Sequence, residues 1–215
     1  MEPEVGILHD SISSRVEKWL SERILNDTYP PGHRLVELQI ARELKTSQAP
    51  VREALRKLEA SGLVESEPFK GTRVRKVTAR EMREAYQVRA MIEQHAAELA
   101  AVFLRDNASS LQGEMVAAHE AAVCGDNERF SHHNSSFHRQ IVEASGNSIL
   151  LRIWDGLESE IRTRLFLSQE KFSPLEGEKL HQTILDALHK GNGKLAGRLL
   201  REHLLGFVDK IDSTR

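Results

Sequence analysis

The 215-residue chain has almost no cysteine: Cys124 stands alone, so no disulfide can form within it, which fits a reducing compartment. Long hydrophobic runs are also missing. The most apolar stretch, Ala96–Leu104, is short and carries Glu98, so nothing in the sequence is expected to span a membrane. Residues 1–10 combine neither a basic segment nor a long apolar core, so no secretory signal is predicted and a cytoplasmic protein is expected. Internal repeats and low-complexity tracts are absent. Net charge is small, −2, which argues against a uniformly basic protein that coats nucleic acid. What remains is an ordinary globular composition, 40% hydrophobic and 29% charged, long enough for one large domain or two modest ones.

The near-neutral total conceals a division. Residues 1–80 hold 14 Lys/Arg against 12 Asp/Glu, whereas the remainder holds 16 against 20. Within residues 42–80 the ratio is 10 to 5, so positive charge gathers there. Histidine is skewed the other way, with His9 and His33 before residue 81 and eight after it. Two regions of different chemistry follow, with a boundary near residues 77–80. The expected architecture is mainly α: three helices and a β-hairpin wing over 1–77, then an all-helical bundle of six or seven helices over 78–215.

The N-terminal elements read in order. Ser11–Asn26 places Ile12, Val16, Trp19, Leu20, Ile24 and Leu25 near one helical face, and Tyr29-Pro30-Pro31-Gly32 ends it. A short helix over Val36–Leu44 has Leu38, Ile40, Ala41 and Leu44 as its apolar positions. The turn Lys45-Thr46 leads to Ser47, an N-cap residue type, and Pro50 is tolerated in a first helical turn. Val51, Ala54, Leu55 and Leu58 form the buried stripe of this next helix, with Gly62 where a left-handed C-terminal residue is expected. Two extended runs, Leu63–Glu67 and Thr72–Val77, flank Pro68-Phe69-Lys70-Gly71 and predict the wing.

Helix, tight turn, helix and basic wing is the order of a winged helix-turn-helix, whose second helix enters the major groove of DNA. Ser47, Gln48, Ala49, Arg52 and Arg56 lie at the entrance or on the exposed side of that helix. Gln48 suits bidentate contact with adenine, and Arg52 suits guanine or phosphate. Lys70 and Arg73 flank Gly71, which permits close approach to a backbone or minor groove. The helical pattern by itself equally describes an ordinary three-helix packing motif with surface arginines. Residues 9–77 resemble the DNA-binding domain of the GntR family, through Ser47-Gln48-Ala49-Pro50-Val51-Arg52-Glu53-Ala54-Leu55, Gly62-Leu63-Val64 and the Lys70-Gly71-Thr72 wing tip. Family members more often carry Arg-Thr where this chain has Gln48-Ala49, a departure that bears on which operator is read. Arg52 retains the family arginine.

Beyond residue 80 the pattern is helical. Asn127–Ala144 places Phe130, Asn134, Phe137, His138, Ile141 and Val142 on one side. A helix over Leu175–His189 sets His181 beside Leu180, Ile184, Leu185 and Leu188, and one over Lys194–Ile211 aligns His203 with Ala196, Leu199, Leu200 and Phe207. Each histidine taken singly reads as a hydrogen-bonded core residue. Three inward-facing imidazoles together make a natural site for zinc or a similar divalent ion. His132 and His133 fall at other helical angles and read as flanking residues.

The run from Gly125-Asp126 through Phe137-His138-Arg139 to Ser145-Gly146-Asn147, with His181 and His203, resembles the FCD ligand-binding domain of the FadR-type GntR subfamily. The resemblance implies a divalent metal, zinc, nickel or manganese, held by His138, His181, His203 and the residue four before the first histidine. That residue is usually aspartate; here it is Asn134, which removes one negative charge from the ligand set and should lower affinity. Arg89, on an apolar face with Met82, Tyr86, Ile92, Ala96 and Leu99, has Glu93 one turn on; Arg164 also follows an apolar stripe. Buried arginines need an anion, either an internal carboxylate or a bound one. The resemblance implies a small organic acid as effector, with Arg89, Arg164 and Asn147 as pocket candidates.

The function expected is a homodimeric transcriptional regulator, a repressor more often than an activator, reading an inverted-repeat operator under control of a small carboxylate. The competing classes are a metal-dependent hydrolase or lyase built on His138, His181 and His203, and a bundle with a purely structural metal. Catalysis would require an open coordination position and a nearby carboxylate base, and no HExxH-like arrangement is present.

Overall fold

The computed structural model describes residues 11–170 and 179–213. The expected start of a helix at Leu175 lies outside the described residues. The chain divides into two compact units, Met1–Lys76 and Val77–Arg215.

In the first unit, α1 (Ile12–Leu25) starts where the Ser11 hydroxyl accepts the backbone N–H of Ser14. It buries Val16, Leu20 and Ile24 at intervals of four, while Ile12 remains exposed. Helices α2 (Glu37–Glu43) and α3 (Gln48–Ala60) follow. Both end in the same way. Lys45 (φ 52°) and Gly62 (φ 75°) turn left-handed just past the two helices. The next N–H groups, of Thr46 and Leu63, then close on the carbonyls of Ala41 and Leu58. These two stops make the α2–α3 turn tight and aim the chain from α3 into the sheet. Val36 is the N-cap rather than the first residue of α2, and Leu38, expected inside, is exposed; a seven-residue helix buries only Ile40 and Ala41. Ser47 occupies the N-cap position of α3, but its side chain makes no capping hydrogen bond.

The wing is β2 (Val64–Glu67) paired antiparallel with β3 (Gly71–Val74), in register Val64↔Val74 and Glu67↔Gly71. A two-residue strand, β1 (Arg34–Leu35), adds to the other edge of β3, giving the order β1-β3-β2. It is too short for any periodicity to reveal. At the tip, Phe69 is fully exposed and adopts φ 65°, a conformation strained for a non-glycine residue.

The second unit contains seven helices among the described residues: α4 (Ala79–Leu104), α5 (Ser109–Val123), α6 (Asn127–Ala144), α7 (Ser148–Asp155), α8 (Ser159–Glu170), α9 (Lys179–His189) and α10 (Gly193–Ser213). Thr78, Asp126 and Asn147 cap α4, α6 and α7 with their side-chain oxygens. The core gathers Ala97, Ala101, Leu104, Phe137, Ile141, Ile184, Leu188 and Leu200 from α4, α6, α9 and α10. Two expected core positions prove exposed. Leu180 precedes His181 by one residue, so a helix turns it about 100° away from the histidine. Leu99 loses its place because α10 packs on the small residues of α4, with Ala97, Ala100 and Ala101 all buried instead. No helix among the described residues is long and apolar enough to cross a membrane.

That α4–α10 contact is nearly backbone to backbone. A Cβ at Gly193 would lie 2.6 Å from the Glu98 carbonyl oxygen, and one at Gly197 would lie 2.6 Å from that of Gln94. Neither carbonyl can move without shifting α4. Gly197→Ala is therefore expected to destabilise the protein by about 1–3 kcal/mol, as overpacking does. Gly206, on the same helix, has nothing within 4 Å of its Cβ position. Gly206→Ala should stabilise by about 0.5–1 kcal/mol through helix propensity alone. Urea unfolding of both variants checks the pair of signs.

Candidate nucleic-acid interface and metal centre

Helix α3 separates its residues sharply. Val51, Ala54, Leu55 and Leu58 are at most 4% exposed, whereas Ser47, Gln48, Ala49, Arg52 and Arg56 are all on the open side. One face anchors the helix; the other carries an amide, two guanidiniums and a small residue able to approach closely. In the wing, Lys70, Gly71 and Arg73 are exposed too. The Arg73 Nη1 donates to the Gly32 carbonyl at 3.0 Å, and Lys70 pairs with Glu67 across the tip. Two residues of this surface escape sequence reasoning. Arg34, on β1, pairs in register with Arg73 and lays its guanidinium beside Gly71. Glu37 receives the Arg52 guanidinium through Nε at 3.1 Å and Nη2 at 2.8 Å.

In the second unit, α6, α9 and α10 bring His138, His181 and His203 together. Their closest ligand atoms all lie within 4.8 Å of one another. Ring centroids are 5.4 Å apart for His138–His181 and His138–His203, and 4.5 Å for His181–His203. His138 Nε2, His181 Nε2 and His203 Nδ1 are buried and have no hydrogen-bond partner. Buried polar atoms seldom remain so, and three converging imidazole nitrogens with free lone pairs fit the donor set of a divalent transition metal. Asn134 is buried one turn before His138 on α6. His132 and His133 turn elsewhere, toward Glu160 and Glu114.

What fixes His138 is Glu93 on α4. Its Oε2 lies 2.6 Å from His138 Nδ1, while Oε1 accepts Arg89 Nε and Trp154 Nε1, each at 2.7 Å. With Nδ1 committed as the donor, Nε2 keeps its lone pair pointed at the other two histidines, the arrangement by which a carboxylate orients a metal-ligating histidine. Burial would raise the Glu93 pKa, but Arg89, His138 and Trp154 together hold it down at about 2. Both Glu93 oxygens are already engaged by these donors, so the carboxylate serves to orient His138. Burial is the main reason that the histidine pKa values fall. His181 drops to about 3, with His138 and Arg89 adding to the effect, and His203 and His138 also lie below the ordinary value. All three are neutral at pH 7, as metal ligands must be.

The effector candidates separate. Arg89 is 1% exposed, stacked over Tyr86, and its Nη2 has no partner. Arg164 pairs with Glu128 at 2.7 Å while its Nε is buried without a partner. Asn147 spends its side-chain oxygen capping α7 through the N–H groups of Ile149 and Leu150. Among the described residues, no hydrogen bond joins Arg164 or Asn147 to the histidines; Arg89 joins them through Glu93.

Residues 12–74 match the family of bacterial regulatory proteins, gntR family, and residues 84–206 match the FCD domain. The "Probable D-xylose utilization operon transcriptional repressor" of Paenarthrobacter nicotinovorans is 35% identical over 198 residues, 92% of this chain and 88% of the relative. Two solved structures share the fold at 24% identity: E. coli McbR/YncC, with TM-score 0.68 over 96% of this chain and 99% of that one, and a GntR transcriptional regulator from Rhodococcus sp. RHA1, with TM-score 0.69 over 94% and 98%.

The buried histidines make a pH prediction for metal-free protein. Their folded pKa values lie below the unfolded value of 6.5, so the unfolded chain takes up protons first as pH falls. Stability is full above pH 6.5 and declines from there toward pH 3, each histidine contributing a slope of up to about 1.4 kcal/mol per pH unit. Glu93 adds loss only between its unfolded value of 4.5 and about 2. Chelator-treated His181→Gln should therefore show a shallower decline between pH 6.5 and 5 than the parent, measured by denaturant unfolding; equal slopes would contradict the buried neutral state.

Proposed function

The chain belongs to the GntR family of bacterial regulatory proteins, with an FCD domain, and from that premise we propose how its two units divide the work of a DNA-binding transcriptional regulator. Residues 1–77 form the operator-reading head, and residues 78–215 form the effector-binding domain. The observation that carries the reading is the open face of α3, where Ser47, Gln48, Ala49, Arg52 and Arg56 stand opposite a fully buried stripe. Such a face offers base-edge donors while the other packs the helix in place. Lys70, Gly71 and Arg73 would follow the backbone beside it. Family members bind operator DNA; here a homodimer placing one head on each half of an inverted repeat, acting as a repressor in the cytoplasm, is the reading proposed.

In the second unit, His138, His181 and His203 would hold a divalent metal, zinc, nickel or manganese, with Asn134 as a neutral fourth donor. When bound, the ion supplies a Lewis-acid anchor for an anionic oxygen. Arg89 supplies the second charge: Nε is tied to Glu93, and Nη2 is left to receive a carboxylate. The proposed effector is thus a small carboxylate. Arg164, through its unpartnered Nε, and Asn147, whose oxygen caps α7, are secondary candidates. Regulation then requires only that the effector favour one arrangement of the dimer over another.

Arg52→Ala should lower affinity for the operator tenfold or more while leaving the melting temperature within about a degree of the parent. Undiminished sequence-specific binding would overturn the contact assignment. For the metal, elemental analysis of protein purified without added metal should show about one ion per chain, lost in His181→Ala. If both proteins are metal-free and remain so after titration with zinc, nickel and manganese, the histidines are not a metal site.

A further inference from the structure

Arg52 does not wait on the surface as a free side chain. Its Nε lies 3.1 Å from both oxygens of Glu37, and its Nη2 donates to Oε2 at 2.8 Å. Glu37 opens α2 and Arg52 lies in the second turn of α3, so the pair bridges the two helices of the reading motif. Both backbones are anchored, through Ile40 and Ala41 on one helix and Val51 and Leu55 on the other.

A guanidinium has two edges that present paired N–H groups. The lateral edge, Nε with Nη2, is the one Glu37 occupies. The terminal edge, Nη1 with Nη2, retains parallel donors, and about half of the Arg52 side chain remains open to solvent. Those donors match the O6 and N7 acceptors that guanine shows in the major groove. Glu37 therefore need not be displaced for Arg52 to read a base. It removes the rotational freedom that a long side chain otherwise loses on binding, and it selects which edge faces outward.

Resting on the assignment of α3 as the reading helix, we propose that Glu37 is a positioning residue that sets base specificity: it holds the lateral edge of Arg52 and turns the terminal edge toward a guanine. A bystander role makes the opposite prediction. A carboxylate beside DNA repels phosphate, so removing the charge of a mere surface partner should tighten binding to every duplex.

The test uses full-length protein and a duplex selected from a random-sequence library by the parent chain, alongside an unrelated duplex. Glu37→Gln should bind the selected duplex five- to fiftyfold more weakly, yet bind the unrelated duplex equally or more tightly. Arg52→Ala should lose at least as much, and Glu37→Gln combined with Arg52→Ala should lose no more than Arg52→Ala alone. Replacing guanines of the selected site by 7-deazaguanine, which lacks the N7 acceptor, should cost the parent several-fold at one position and cost Glu37→Gln less there. Equal or tighter binding of Glu37→Gln to the selected duplex, with Arg52→Ala weakened, would overturn the role of Glu37 and leave the reading helix standing. Undiminished binding by Arg52→Ala would overturn both. Melting curves of each variant separate these outcomes from unfolding.

Discussion

The Glu93 carboxylate is completely buried, and each of its oxygens is occupied: Oε1 by Arg89 Nε and Trp154 Nε1, Oε2 by His138 Nδ1. Withdrawing a carboxylate from water costs several kcal/mol, and only a saturated set of donors offsets it. The donors come from α4 itself, α6 and α7, so one charge fixes the relation of three helices. It also chooses the tautomer of His138. Without that bond the imidazole could rotate or place its proton on Nε2, and the three nitrogens would not share a focus. The histidine site is therefore a consequence of an ion pair laid down on a different helix.

The same carboxylate leaves Arg89 half used. Its Nε is committed, its Nη2 is orphaned, and the residue is 1% exposed. Arg89 and Glu93 cancel in charge and the three imidazoles are neutral, so what the pair leaves over is one buried donor, Arg89 Nη2, without an acceptor. The aromatic faces of Tyr86 and Trp154 beside the guanidinium partly stabilise the charge in the meantime.

The two units use charge in opposite ways. In the second, a buried pair and its neighbours specify an interior. In the first, charged groups stay on the surface, and partners such as Glu37 and Glu67 restrain Arg52 and Lys70 without burying them. Surface restraint suits the DNA-facing role proposed for this surface, because the side chains keep their donors while losing conformational freedom in advance. Helix packing supplies the rigidity beneath: the left-handed residues Lys45 and Gly62 end α2 and α3 abruptly, so the reading helix cannot fray into the wing.

Whatever depends on local order was legible in the residues alone. Periods of 3.6 marked the stripe of Val51, Ala54, Leu55 and Leu58, Gly62 marked a left-handed stop, and the wing declared itself between two short extended runs. Helical phase also put His138, His181 and His203 on inward faces, where the helices bring them together. Which side chains meet across distances that periodicity does not encode was set by the packing of the helices. Glu93 reaches His138 over 45 positions and Trp154 over 61, and Glu37 reaches Arg52 over 15. Phase misplaced Leu99 and Leu180 because a helix can bury more than one face, and its neighbours choose which. Nor did the sequence show that the Asn147 oxygen caps α7 through two N–H groups. The division has one cause. Backbone hydrogen bonding is local and leaves its period in the sequence, whereas a buried charge selects its partners through the packing of whole helices, which no stretch of sequence contains.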